Sequence, residues 1–174
     1  GGSIFIDQSR PDVESVGDWP LVRTKSNGIH DQYNLVRIDD YLTDAFTEQS
    51  VEFIKHEHEK PFFLFLSHTT PHTTPSNKKY TACYKHLKDP TARVYAAMVA
   101  SLDETVGAIV NTLSETKRLR DTLVVFSSDN GCAGYIGVCS NGELSGFKRY
   151  HNQGGIRIPL ILHWPGQIKP GKYP

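Results

Sequence analysis

Short apolar runs that stop abruptly in polar residues punctuate this chain. The run Phe62-Phe63-Leu64-Phe65-Leu66, entered through Pro61, gives way to Ser67-His68-Thr69-Thr70-Pro71-His72. A second run over 122–126 ends in Ser127-Ser128-Asp129-Asn130-Gly131, and a third over 158–162 closes in the turn Trp164-Pro165-Gly166. Continuous apolarity of this length is the mark of strands buried on both faces, as in a parallel sheet. Helical spacing surrounds these runs. A helix is predicted over 43–58, capped by Thr43, with Asp44 and Glu48 near its positive end and Leu42, Phe46, Phe53 and Ile54 on one face. A longer one is predicted over 91–117, where Asp89 suits the cap and Pro90 the first turn. Its buried stripe would be Met98, Leu102, Val106, Ile109 and Leu113, with Lys117 and Arg118 against the negative end of the dipole. Residues 1–40 show turn chemistry at Pro11-Asp12, Trp19-Pro20 and Asn27-Gly28 and read as an irregular surface excursion.

The order helix, strand, helix, strand, loop, strand predicts an α/β layered fold, with a mostly parallel sheet flanked by helices. In such sheets ligands bind beyond the carboxyl ends of the strands. Here those ends carry His68 and His72 after the first run, and Asp129 and Asn130 after the second. No internal repeat or low-complexity tract interrupts the pattern.

Composition narrows the function classes. Lys and Arg number 19 and Asp and Glu 19, for a formal net charge of zero. That balance argues against a dedicated nucleic-acid binder, which draws affinity from excess basic charge. With 38% hydrophobic residues the chain is too apolar for disorder, and no apolar stretch is long enough for a membrane span. Three cysteines make no disulfide framework and no CxxC metal pair. Cys132 and Cys139 can close their loop as a disulfide or remain thiols. The start on Gly1 without Met, and the absence of a targeting segment, fit either a processed chain or a piece of a longer one.

Among candidate chemical groups, Asp129 and Asn130 set a carboxylate beside an amide oxygen, the donors that hard cations such as Ca²⁺ and Mg²⁺ take, although Asn-Gly is also an ordinary turn. His72 can donate to an oxyanion or protonate a leaving group. Lys148 can offer a fixed charge to an anionic substrate. Nothing in their spacing selects His68, His151 or His163, and the pair His56 and His58 suits a solvated helix end better than a metal. No GxGxxG, P-loop or GxSxG is present.

Together these pieces resemble the sulfatase family. The resemblance rests on His-Thr-Thr-Pro-His72, on the helix segment 95–107, and on the strand ending Ser-Ser-Asp129-Asn130-Gly131. It continues through Gly146-Phe147-Lys148, Gly154-Gly155-Ile156-Arg157-Ile158-Pro159 and Trp164-Pro165-Gly166, covering about 41–166. It implies an alkaline-phosphatase-like layered fold and hydrolysis of sulfate esters by a formylglycine made from Cys or Ser in a C/S-x-P/A-x-R motif. It further implies that Asp129 and Asn130 are two of the Ca²⁺ ligands, and that His72 and Lys148 contact the sulfate. No C/S-x-P/A-x-R is present, nor the family's N-terminal aspartate pair or its central Lys and His motif. Asp39-Asp40 lacks a preceding strand, and Gln153 stands where the family usually has Glu. The expectation is a single segment, 1–174, of an incomplete sulfatase catalytic domain, inactive without a nucleophile that lies outside it. A phosphatase or phosphodiesterase of the same superfamily, or a non-catalytic metal-binding module, are the alternatives. The implied partner is a sulfated small molecule or carbohydrate. Without an Asn-x-Ser/Thr sequon, a periplasmic or secreted location is favoured over a lysosomal one.

Overall fold

The computed structural model describes residues 3–5, 21–24, 34–36, 41–56, 61–72 and 78–172. The chain divides into two compact units, Gly1–Thr112 and Leu113–Pro174, and each is described by itself. Asp39, Asp40 and His58 lie outside the described residues.

The first unit opens with an antiparallel meander, β1 (Ser3–Phe5), β2 (Leu21–Thr24) and β3 (Asn34–Val36), with Ile4 opposite Arg23 and Val22 opposite Leu35. These strands fall in the stretch read from sequence as irregular. At three or four residues each, they are too short for a period-two pattern to register.

Helix α1 (Leu42–Lys55) buries Thr43, Phe46, Ser50, Phe53 and Ile54, the steps of three and four that one helical face requires. Thr43 is not its cap. Tyr41 holds that position, and the buried Thr43 hydroxyl lies 2.7 Å from that of Thr70. A hydroxyl inside a core must find a partner, and here it ties the loop after the first apolar run to the helix.

That first run is extended but lies outside the strands. Its exposure alternates, with Phe62, Leu64 and Leu66 turned inward and Phe63 and Phe65 exposed at 71% and 49%. Phe62 meets the edge of Phe53 at 5.4 Å, and Leu64 and Leu66 pack against Phe46. The expected burial on both faces is therefore replaced by burial on the α1 side.

Helices α2 (Lys78–Cys83) and α3 (Pro90–Glu115) follow. Asp89 caps α3 as expected, its carboxylate accepting from the Thr91 amide at 2.8 Å, with Pro90 the first helical residue. The buried side differs from the expected stripe. Met98 and Leu113 are buried, but Leu102, Val106 and Ile109 are only half-buried. Ala97, Ser101, Thr105 and Thr112 take the remaining buried places. Ser101 and Thr105 return their hydroxyls to the carbonyls of Met98 and Ser101, and Thr105 also meets Thr47 of α1 at 2.7 Å. Small hydroxylated side chains let the two helices approach closely, and an apolar periodicity cannot register them.

In the second unit α3 ends in a Schellman arrangement. The Arg118 amide donates to Leu113 O at 2.8 Å and the Lys117 amide to Ser114 O at 3.0 Å, with Lys117 left-handed at φ 59°. Strands β4 (Val124–Ser127) and β5 (Leu160–His163) then pair antiparallel, Val124 opposite His163 and Ser127 opposite Leu160. All three ladders among the described residues are thus antiparallel, and the parallel pairing expected from the apolar runs is not among them. A parallel return needs a crossover, usually a helix laid across the sheet. The connection from β4 to β5 carries only single turns of helix, a 3₁₀ turn at Gly134–Ile136 and α4 (Gln153–Ile156). The Trp164 indole donates to Arg120 O at 2.8 Å, fastening the turn after β5 to the turn before β4.

Candidate active site

The turn Ser128-Asp129-Asn130-Gly131 leaves the carboxyl end of β4, closed by the Ser128 hydroxyl donating to Asn130 O at 2.8 Å. Gly131 does more than permit a turn. Its amide donates to Gly155 O at 2.9 Å, and a Cβ there would sit 1.8 Å from Gly154 O. A Cβ on Gly154 would in turn fall 2.1 Å from Gly146 O. The absence of side chains lets three backbone segments lie against one another: the Asp129 turn, the loop before Lys148, and α4.

Lys148 is set by the same backbone network. Its amide donates to Cys132 O at 2.9 Å, and Gly154 N donates to Ser145 O at 2.8 Å. Cys132 is disulfide-bonded to Cys139, resolving the alternative left open by the sequence. Phe147, beside Lys148, is wedged by ring contacts with Tyr150 at 4.6 Å and Tyr135 at 6.0 Å. Sequence reasoning missed Asn141, whose side chain bridges Cys132 and Gly146. Its only sequence signal, an Asn-Gly pair, reads as a turn.

The chemical ends of these residues are uncommitted. Asp129 is exposed, and Asn130 and Lys148 are half-buried. None of the three side chains has a hydrogen bond or ion pair with another described residue. A carboxylate and an adjacent amide oxygen are hard donors, and they fit a hard cation as part of its six to eight oxygen ligands. They would be only part of a sphere: among the described residues no group of three or more His, Cys, Asp or Glu is placed to hold a metal.

His72 belongs to the first unit. It is exposed, and its amide donates to Thr69 O at 3.0 Å in a turn that contains a cis Thr70–Pro71 peptide. The Thr70–Thr43 hydroxyl pair secures this turn on α1. His68, four residues earlier, is a packing residue. It meets the edge of Phe46 at 5.5 Å, and its buried Nδ1 has no hydrogen-bond partner among the described residues. Burial pushes its pKa down to about 4, so the ring is neutral at physiological pH. Tyr80, pushed up to about 12 by burial and then by its bond to Glu104, ties α2 to α3 together with Lys79. This cluster has no evident chemical use beyond that tie.

Comparison with known proteins gives these geometries a context. The family model described as Sulfatase matches residues 5–174, reaching into the opening stretch that carried no motif. The chain is 37% identical to human steryl-sulfatase over 141 residues, which is 76% of this chain and 23% of that protein. It is 35% identical to a sulfatase of Formosa agariphila, over 75% of this chain and 26% of that one. Among solved structures, Ps i-CgsB in complex with k-i-k-neocarrahexaose superposes with a TM-score of 0.71 at 32% identity, covering 84% of this chain and 31% of that one. The chain thus spans about a quarter of the length of these curated relatives.

Proposed function

The chain belongs to the sulfatase family, and from that premise we propose that the protein of which it forms part hydrolyses sulfate esters, with Asp129 and Asn130 as two ligands of a calcium ion and Lys148 and His72 as contacts to the sulfate. One observation carries the reading. The Asp129 turn and Lys148 share one backbone network, through Gly131 to Gly155 and Lys148 to Cys132, while their side chains stay uncommitted. A cation, when bound, supplies a fixed positive charge where negative charge gathers on the transferring group. The Lys148 ammonium adds a second, and the His72 imidazole is suited to giving a proton to the departing oxygen.

The nucleophile of this reading is a formylglycine in a segment outside the chain, so the chain alone is inactive. The three apolar runs would be strands of a larger, mostly parallel sheet of the alkaline-phosphatase type, completed by that missing part. The substrate class is a sulfated carbohydrate or small sulfated molecule. A steryl-sulfatase and a protein crystallised with a neocarrahexaose among the similar proteins support that breadth. Zero net charge leaves nucleic acid an unsuitable partner. Among the described residues no helix is long and apolar enough to cross a membrane. An exported protein, periplasmic or secreted, or lysosomal in a eukaryote, suits the family.

The test has two arms. Incubated with 4-nitrophenyl sulfate, the isolated chain should release no nitrophenol, and steady turnover would overturn the external nucleophile. A polypeptide extended upstream through a C/S-x-P/A-x-R motif should hydrolyse the sulfate in preference to 4-nitrophenyl phosphate. In it, Asp129→Ala or Lys148→Ala should each lower kcat/KM by about a hundredfold or more. Preference for the phosphate would favour the phosphatase alternative.

A further inference from the structure

Asn141 carries no charge, reacts with nothing and lies outside every segment that pointed to function, yet its two side-chain atoms meet the two loops that matter. Its Oδ1 accepts from the Cys132 amide at 2.9 Å, and its Nδ2 donates to Gly146 O at 3.0 Å. Cys132 follows the Asp129-Asn130-Gly131 turn directly, and Gly146 opens the segment to Lys148. The side chain is half-buried, where unmet amide groups would be costly.

The connections around this bridge converge on Lys148. Cys132 is held at three points: its amide by Asn141, its carbonyl by the Lys148 amide at 2.9 Å, and its sulfur by Cys139. Gly146 is left-handed at φ 79°, and a Cβ there would lie 2.8 Å from Asn152 Cβ, so the bend admits little else. Nothing but Asn141 is seen joining Cys132 to Gly146 through a side chain among the described residues. An amide is suited to this task because it offers a donor and an acceptor from one planar group. A carboxylate of the same shape offers acceptors only, and would face the Gly146 carbonyl with like partial charge.

We propose that Asn141 is the positioning residue of this site, clamping the loop that leaves the Asp129-Asn130 turn to the loop that presents Lys148. It sets the lysine relative to the metal-ligand pair without touching substrate. The functional part of this inference rests on the reading of Lys148 as a sulfate contact; the structural part does not.

The experiment compares the full chain with Asn141→Ala and Asn141→Asp, following backbone amides by hydrogen exchange in NMR and titrating inorganic sulfate. In N141A the Lys148 and Cys132 amides should exchange about tenfold faster or more, while the Arg118 amide, bonded to Leu113 O at the end of α3, keeps its protection. In N141D the Cys132 amide should stay protected, because its acceptor survives, and Lys148 should still lose protection. Unchanged exchange at Lys148 in N141A overturns the clamp. So does equal acceleration at Arg118, which would mean that Asn141 merely stabilises the unit. With sulfate, the Lys148 resonance of the polypeptide extended upstream through the C/S-x-P/A-x-R motif should shift, and N141A in it should need about tenfold more sulfate for half the shift. Indifference of that extended polypeptide to sulfate overturns the sulfate role of Lys148, and the exchange data then judge the clamp separately.

Discussion

His68 and Gly131 show how single residues are governed by what surrounds them. Both stand at the ends of apolar runs, where the sequence selects His68 for no role and reads Gly131 as part of a turn. His68 instead packs on Phe46, and its pKa falls from 6.5 to about 4 by desolvation. The unfolded chain then binds a proton that the native chain refuses across that window. Stability is therefore full above about pH 6.5 and is lost progressively as the pH falls towards 4. About 2 kcal/mol should be lost between pH 7 and pH 5, measured by urea unfolding, and His68→Leu should flatten that dependence. Gly131 is required by close approach: a methyl group would meet the Gly154 carbonyl at 1.8 Å. Gly131→Ala should therefore cost at least about 2 kcal/mol, seen as a lowered urea midpoint, and should displace the Asp129 turn. A turn-only role would leave the midpoint nearly unchanged.

Elements were legible where an apolar pattern or a cap announced them. The Asp89-Pro90 start of α3 was readable because the cap is a local interaction between neighbours in sequence. The buried face of α3 was harder, since Ser101 and Thr105 occupy it through hydroxyls bonded to their own helix and to Thr47. Lys117 illustrates a different loss. Its charge invites a dipole argument, but the structure uses its backbone, left-handed at φ 59°, to end the helix. An L side chain is strained in that conformation. Lys117→Gly should raise the stability of the chain by about 0.5–1 kcal/mol, measured by thermal or urea unfolding. A loss would mean that the lysine side chain contributes more than its backbone costs.

At the scale of the molecule, the largest departure is exposure. The runs expected to be buried on both faces leave Phe63, Val125, Leu160, Ile161 and Leu162 in solvent, Leu160 at 62%. Apolar side chains left in solvent along paired strands, as on β4 and β5, mark an interface or an association hazard. The chain should self-associate at micromolar concentrations in sedimentation velocity, and Leu160→Lys with Leu162→Lys should restore a monomer. A parent chain that stays monomeric would mean that its sheet is self-sufficient. The chain spans about a quarter of its curated relatives, and a larger catalytic domain of the kind proposed would cover this surface.

By itself the sequence determined the family, through ordered motifs, and singled out His72, Asp129, Asn130 and Lys148 as candidates for its chemistry. It also determined where α3 begins, at Asp89-Pro90, because a cap acts between near neighbours. Only the tertiary structure decided which faces are covered, which way β5 runs against β4, and that Cys132 pairs with Cys139. It alone disclosed Asn141 and the Gly131–Gly154 contact. The physical reason is range. Those features are made by groups far apart along the chain, and a hydrogen bond or a close backbone approach leaves no periodic trace in either partner's neighbourhood.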